Sequence, residues 1–332
     1  MTDAAQAWDQ RLASLASPPP LLQSWAWGQV QAGAGWRVER LHLGGVGLAT
    51  VLVRGGGALR WAYVPRGPVP ATVEAVRRLV SWAREHGLAR LRVDPEAPSA
   101  FSAELAELGF REGPAEGPAV QPRHTLIVAL GTEAELLRSF KPKTRYNVRL
   151  ALRRGVEVEE GREAATLEAQ TLATARRQGI NLPGRRYYEL LLDTLPWCRT
   201  YVARVHGRPV AAILVCRYAG RAYYLFGGAS GEARELMPSY AVQWAAMRAA
   251  ADAGCADYDL WGIPPAPDPS HPWHGLWQFK TGFGGSEVAY AGAWDLVISP
   301  LRHRAGLAAD RARRSLRALK TISNMRLQNF HS

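Results

Sequence analysis

Lys280 stands out by the residues around it. It lies in Gly275–Gly285, G-L-W-Q-F-K-T-G-F-G-G, directly after Phe279 and just before Gly282, Gly284 and Gly285. Aromatic neighbours can hold an ammonium partly out of water, and glycines let a substrate backbone come close. A cation fixed in this way stabilises the oxyanion of acyl transfer. The same letters also describe a surface lysine on a short helix that ends at a glycine cap. A second group suits a polyanion. Arg138–Arg154 carries seven Lys/Arg and no acid. Within it Lys141, Lys143, Arg145 and Arg149 are the candidate phosphate contacts. Arg145, Arg149 and Arg153 recur at i, i+4 and i+8, one face of a helix predicted from Arg145 to Arg154 with Thr144 as N-cap. Val148, Leu150, Ala151 and Leu152 form its predicted apolar side. His271, His274 and Asp268 share a proline-rich loop, where H-x-x-H is more often solvated than metal-binding. No metal or cofactor is expected.

The totals bound what can position these residues. At 332 residues the chain exceeds the length at which single cores split, roughly 250–300. Two domains are expected, 1–130 and 131–298, followed by a basic C-terminal helix, 299–332, packing on the first. Hydrophobic content of 47% is ordinary for a globular chain. The longest clean apolar run, Val210–Cys216, is far short of the about 20 residues of a membrane span. Met1, Thr2 and Asp3 offer neither the basic nor the apolar part of a signal peptide, so a cytoplasmic protein is expected. Cys198, Cys216 and Cys255 are scattered and suggest no disulfide framework. The net charge of +12 is concentrated in two places, Arg138–Arg154 and Arg302–Arg326, the second with eight Lys/Arg against Asp310 alone. Two local basic surfaces indicate a polyanionic partner.

The order of elements contains a duplication. Arg37–Leu43, Val46–Arg54 and Leu59–Val64 read as a strand meander, Thr72–His86 as a helix and Arg90–Val93 as a strand. Tyr201–Val205, Pro209–Arg217 and Ala222–Phe226, then Tyr240–Ala253 and Asp257–Trp261, repeat that order. Arg54 faces Arg217 and Gly87 faces Gly254 at nearly one offset. Two copies of a meander-helix-strand unit predict an α+β fold with a cleft between the copies, a usual place for a ligand. Trp294–Ile298 reads as the last strand of the second copy.

Four stretches resemble the FemXAB (Fem) aminoacyltransferases of peptidoglycan cross-bridge synthesis. They are K-P-K-T-R-Y-N-V-R-L-A-L-R-R-G-V-E-V at Lys141–Val158, Y-Y-L-F-G-G-A-S at Tyr223–Ser230, P-S-Y-A-V-Q-W-A-A-M at Pro238–Met247, and D-Y-D-L-W-G-I-P together with the Lys280 stretch. The resemblance covers about residues 138–298. It implies two tandem GNAT-like subdomains and transfer of an amino acid from aminoacyl-tRNA to an amine of a UDP-linked or lipid-linked peptidoglycan precursor. It implies that Lys280 stabilises the oxyanion, that Phe279 positions it, and that Tyr240 and Tyr224 line the acceptor site. Some members carry a lysine for precursor phosphates where this chain has Gln29 and Gln31. Arg37, Arg185 or Arg186 would then supply that charge. Asp259 is the nearest strand-end carboxylate, expected to be structural. A monomer is expected, with the basic C-terminus free to touch anionic lipid at the inner membrane face.

Two alternatives remain. An acetyl-CoA-dependent GNAT acetyltransferase needs an R/Q-x-x-G-x-G/A loop, which neither P-R-G-P-V-P after Val64 nor G-G-A-S-G-E-A-R after Phe226 provides. A basic RNA-binding module without catalysis accounts for the charge and leaves Lys280 unexplained.

Overall fold

The computed structural model describes residues 2–114, 120–178, 182–264, 269–270 and 273–309, and the statements below concern those residues. The chain begins with α1 (Asp3–Leu15), capped by Thr2, and α2 (Trp25–Gly33), capped by Ser24. β1 (Arg37–His42), β2 (Leu48–Arg54) and β3 (Trp61–Pro65) form an antiparallel meander. α3 (Val73–Glu85) then crosses back, and β4 (Arg90–Asp94) pairs parallel to β3. α3 has a clear apolar stripe: Ala75, Val76, Leu79, Val80 and Ala83 are buried against the sheet. Each of its larger aliphatic side chains contributes about 1.5–3 kcal/mol by leaving water. α4 (Ser102–Glu107) and β5 (Arg111–Glu112) finish this half.

The second half opens with β6 (His124–Ala129), α5 (Glu133–Ser139), α6 (Pro142–Arg153), β7 (Glu157–Gly161), α7 (Ala164–Gln178) and α8 (Arg185–Thr194). The duplicated unit follows: β8 (Cys198–Val205), β9 (Arg208–Tyr218) and β10 (Arg221–Ala229) run antiparallel, α9 (Pro238–Asp252) crosses, and β11 (Asp257–Gly262) lies parallel to β10. Gly87 and Gly254 occupy the same place after α3 and α9, with φ of +60° and +80°. That left-handed conformation closes a helix cheaply only in glycine. The α+β expectation and the paired units thus agree with the architecture. α10 (His274–Thr281), β12 (Ser286–Ala289) and β13 (Trp294–Val297) complete the described elements that have strand or helix bounds; residues 300–309 are also helical.

The boundary between the lobes differs from the expected 130/131 cut. The sheets run β1-β2-β3-β4-β13-β5 and β12-β6-β11-β10-β9-β8-β7. β13, expected in the second lobe, lies between β4 and β5 of the first. β6, expected in the first lobe, lies between β11 and β12 of the second. Each lobe therefore takes an interior strand from the other side of the boundary. Strand partnership is decided by pairing geometry, which a linear reading does not contain. The exchanged strand β13 is also held by charge: Asp295 accepts two bonds from Arg92, at 2.9 and 2.7 Å, and lies 3.5 Å from Arg90.

Three local expectations change. α6 starts at Pro142, whose ring presets the first-turn φ, so Thr144 is inside the helix and buried instead of capping it. Its buried face is Thr144, Asn147, Val148 and Ala151, while Leu152 is 51% exposed. Cys198 and Cys216, register partners across β8 and β9, are joined as a disulfide, and Cys255 is free and buried. Sequence spacing alone cannot show that two cysteines 18 apart are opposite each other across a hairpin. Beyond β13, Arg302 donates to Gly87 O of the first lobe at 3.2 Å. Residues 310–332 lie outside the described residues.

Asp295→Ala would leave the 5%-exposed Arg92 side chain without its carboxylate. We expect a loss of about 3 kcal/mol in denaturant unfolding, the range for one partner of a buried pair, with the first lobe becoming protease-sensitive.

Candidate active site

The Lys280 turn is built by close backbone packing. Gly284 and Gly285 have φ of +76° and +88°. A Cβ at Gly282 would overlap Thr144 Oγ1, one at Gly284 the Ser139 carbonyl, and one at Gly285 the Ile127 carbonyl. These glycines therefore admit the chain's own neighbours, not the substrate backbone expected from the sequence. They seat the end of α10 on α5, α6 and β6. Phe283 is fully buried behind the turn, 5.2 Å from the Phe279 ring and 5.8 Å from Tyr240. Tyr240, on the first turn of α9, packs 5.0 Å from Phe279.

Lys280 itself is 5% exposed. Its Nζ donates to the Gly262 carbonyl at 2.8 Å and lies 5.2 Å from the Tyr224 ring centroid. Burial lowers its pKa to about 7, an effect that the Asp259 carboxylate partly offsets. Among the described residues Gly262 O is its one hydrogen-bond acceptor, which leaves two of the ammonium's three N–H groups. The Tyr224 hydroxyl is pushed up to about 12 by burial and stays protonated at neutral pH.

β11 aims this carbonyl. Its register against β6 slips between Asp259 and Gly262, and Trp261 takes a left-handed φ of +59°. Buried Asp259 holds the bend by accepting the Thr125 hydroxyl and the Trp261 N–H, the latter at 2.7 Å. Its expected supporting role agrees with these contacts.

A cluster that the sequence reading did not single out lies beside this bend, where the two lobes meet. Arg66, also left-handed at φ +51°, donates to Pro122 O at 2.8 Å and stacks 4.3 Å from Tyr290 and 5.6 Å from Trp261. Asp94 lies 3.8 Å from Arg66 and accepts from Tyr63 and the Gln121 N–H. Glu96 accepts from Tyr290 at 2.9 Å and lies 3.9 Å from Arg221, which is also bonded to Asp257. Arg66 Nη1, Asp94 Oδ1 and the Tyr223 hydroxyl are buried there without hydrogen-bond partners. A buried polar atom of this kind calls for an explanation such as stored strain, an ordered water or a ligand. The available signal was two charged dipeptides, Pro65-Arg66 and Asp94-Pro95, each at the end of a strand.

The other expected residues divide. Lys141 meets the Lys280 turn directly: its N–H donates to Gly282 O at 2.8 Å and its Nζ to Thr281 Oγ1 at 3.3 Å. Arg145 and Arg149 line one groove with Arg138, and Lys143 is exposed on the same helix. Arg37 is paired with Glu39 at 2.9 Å and Arg185 with Glu189 at 2.7 Å, both in exposed settings. Arg186 is exposed on the first turn of α8. The structure does not bring these three together with Lys280. Gln31 is buried and donates to Tyr187 at 3.3 Å. Of the loop residues raised for a metal, Asp268 and His271 lie outside the described residues.

The FemAB family model matches residues 96–197 and 200–311. The chain belongs to the FemAB family. Among curated relatives, a lipid II:glycine glycyltransferase of Staphylococcus epidermidis is 24% identical over 85% of this chain and 89% of its own. One of Staphylococcus aureus is 25% identical over 84% and 88%. The crystal structure of FemX superimposes with a TM-score of 0.78 at 22% identity, covering 92% of this chain and 98% of that one. A tandem GNAT protein from the clavulanic acid biosynthesis pathway gives 0.50 at 14% identity, over 87% and 93%. The paired GNAT-like architecture is thus a FemX-type fold.

The site predicts its own titration. In a sample with 13C-labelled lysine, the Lys280 signal should titrate near pH 7, and Asp259→Asn should move it lower. Because the unfolded lysine titrates near 10.5, the unfolded state binds more protons between about 7 and 10.5. The stability of wild type relative to Lys280→Met should therefore rise with pH across that window. A midpoint near 10 would contradict the buried ammonium.

Proposed function

We propose that this protein transfers an amino acid from aminoacyl-tRNA to an amine of a peptidoglycan precursor, forming part of an interpeptide bridge. The observation that carries the reading is Lys280, a buried lysine with one carbonyl partner among the described residues and free donors beside an aromatic wall. Relatives named for glycine transfer onto lipid II favour a lipid-linked acceptor.

The chemistry needs little else. The aminoacyl ester is already activated, so no covalent nucleophile is required. The acceptor nitrogen attacks the ester carbonyl, a C–N bond forms, and the carbonyl oxygen becomes an oxyanion. Protonated Lys280 stabilises that charge. The C–O bond to the ribose then breaks, and a proton passes to the departing ribose oxygen as the attacking nitrogen loses one. Phe279 fixes the lysine's approach, and Tyr224 and Tyr240 line the acceptor side. Lys141, Lys143, Arg145 and Arg149 meet the tRNA phosphates. Arg37 and Arg185 are already compensated by Glu39 and Glu189, so they are poor candidates for the precursor's phosphates. A lipid-linked acceptor would bring the protein to a membrane surface. No helix among the described residues is long and apolar enough to cross one.

The direct experiment incubates purified protein and precursor with radiolabelled glycyl-, alanyl- and seryl-tRNA. Label should reach the precursor from at least one, and transfer from none would remove the reading. Transfer from acetyl-CoA to an amine would favour the acetyltransferase instead. Lys280→Met should cost on the order of 10²–10³ in rate, the usual effect of losing one oxyanion donor. Since the cation is the active form, kcat/KM of wild type should fall as pH rises through about 7. Lys280→Met should lack that limb, and a limb that persists in Lys280→Met would remove the cation role from Lys280.

A further inference from the structure

The two lobes share an order of elements but differ between their parallel strands. In the first, β3 and β4 stay paired from Trp61 with Arg90 to Pro65 with Asp94, the whole length of both. In the second, β10 pairs with β11 only from Arg221 with Asp257 to Tyr223 with Asp259. β11 then turns away at the left-handed Trp261 and meets β6 again at Gly262. β10 runs on beside β9, as far as the pair of Ala229 with Ala211. Its last stretch, Tyr224–Ala229, is half-exposed although β10 lies in the interior of its sheet. The two strands therefore splay apart, and one edge of β10 is left open.

Strand alternation decides which groups line that edge. The Ser230 N–H donates to Val210 O of β9 at 3.1 Å, and the Ala229 N–H turns the other way, to Thr174 Oγ1 at 3.0 Å. Two residues earlier, Gly227 therefore has its N–H and C=O on the side that β11 has left. Thr174 also donates to the Ala229 carbonyl, at 3.3 Å. Among the described residues Gly227 has no such partner for either group. It is also near the buried ammonium. A Cβ at Gly227 would overlap the Tyr224 hydroxyl, and the Tyr224 ring centroid lies 5.2 Å from Lys280 Nζ. Leu225, Phe226, Gly227, Gly228 and Ala229 carry no charge, so this edge offers nothing to a phosphate chain. It offers main-chain donors and acceptors at strand spacing, which match another peptide main chain. From Tyr224 to Gly227 the edge is about 10 Å long, room for about three extended residues.

We infer that the split between β10 and β11 takes the precursor's stem peptide as an added strand. One of its residues exchanges two main-chain hydrogen bonds with Gly227, and the acceptor amine is carried past Tyr224 to Lys280. The inference rests on the reading of a peptidoglycan precursor as acceptor. It adds recognition through the main chain, which fixes how deep the peptide lies without reading its side chains.

The test reads Gly227 directly in the full chain. Phe-Gly occurs twice, at Phe226-Gly227 and Phe283-Gly284, so labelling with carbonyl-13C phenylalanine and 15N glycine selects two amide signals. The Gly284 N–H is bonded to Thr281 O at 3.3 Å and serves as the internal control. In the free protein Gly227 should exchange with solvent at least about tenfold faster than Gly284. A UDP-linked pentapeptide precursor should slow Gly227 at least about tenfold and leave Gly284 unchanged. In the transfer assay, stem-peptide nitrogens are methylated one at a time. KM should rise about fivefold or more at one position, the usual weight of one main-chain hydrogen bond, with kcat unchanged. No change at any position would overturn the main-chain pairing. Slow exchange of Gly227 in the free protein would overturn it too, because the edge would then be closed. If the precursor accepts label from a tRNA while Gly227 exchange stays fast, the split assignment is wrong and the transferase reading stands. Protection by an RNA hairpin with a 3′ ACCA overhang, and not by the precursor, would give the split to the donor and overturn the inference. If the precursor neither binds nor accepts label, both readings fall.

Discussion

An ammonium taken out of water must find compensation or shed its proton, because the cost of burying an unpaired charge is several kcal/mol. Lys280 meets this constraint at an intermediate point. Burial lowers the proton's affinity, and the Asp259 carboxylate retains part of it. The result is a group balanced near neutrality with hydrogens to spare. Much of the local architecture follows from keeping it there. The bend in β11, the left-handed Trp261 and the three-glycine turn each bring backbone where a side chain would otherwise intrude.

That balance depends on an exchange of strands. The bend of β11 is braced by Thr125 of β6, a strand drawn from the sequence side of the first lobe. The first lobe in turn closes its sheet with β13, which the chain reaches only after the Lys280 turn. Neither lobe can assemble its sheet without the segment that joins it to the other. The linkage also gathers buried and half-buried charges at the junction. Arg66, Asp94, Glu96 and Arg221 sit where both lobes contribute walls, and their mutual compensation requires both lobes in place. Left-handed residues at Arg66 and Trp261 store backbone strain there, as is common where geometry serves a ligand.

Family membership and this geometry address different questions. The FemAB match and the FemX-type fold define the scaffold. The environment of Lys280 gives that scaffold a specific chemical capacity, a poised cation facing an aromatic wall. α6 connects the two ideas, since the family-like stretch from Lys141 is also the helix whose N-terminus clasps the Lys280 turn.

Much of this was legible in the residues. The meander-helix-strand order recurs because alternating apolar residues, an amphipathic helix and a glycine cap are local signals, and Gly87 and Gly254 carry them in both copies. Lys280 was legible as a candidate because Phe279 and the following glycines suit a held cation, although the same letters fit a surface lysine before a glycine cap. What the letters could not contain was partnership. That β13 crosses to the first sheet, that Cys198 meets Cys216, and that Thr144 is buried beneath the turn are long-range pairings set by register and packing. The purpose of Gly282, Gly284 and Gly285 was misread for the same reason, since a glycine shows that something comes close and not what. Arg66 and Asp94 became a group only when folding placed separate segments side by side, as did Arg138 with the Arg145–Arg149 face already read from the sequence. Electrostatic compensation is a property of distance in space, and only the tertiary structure supplies those distances.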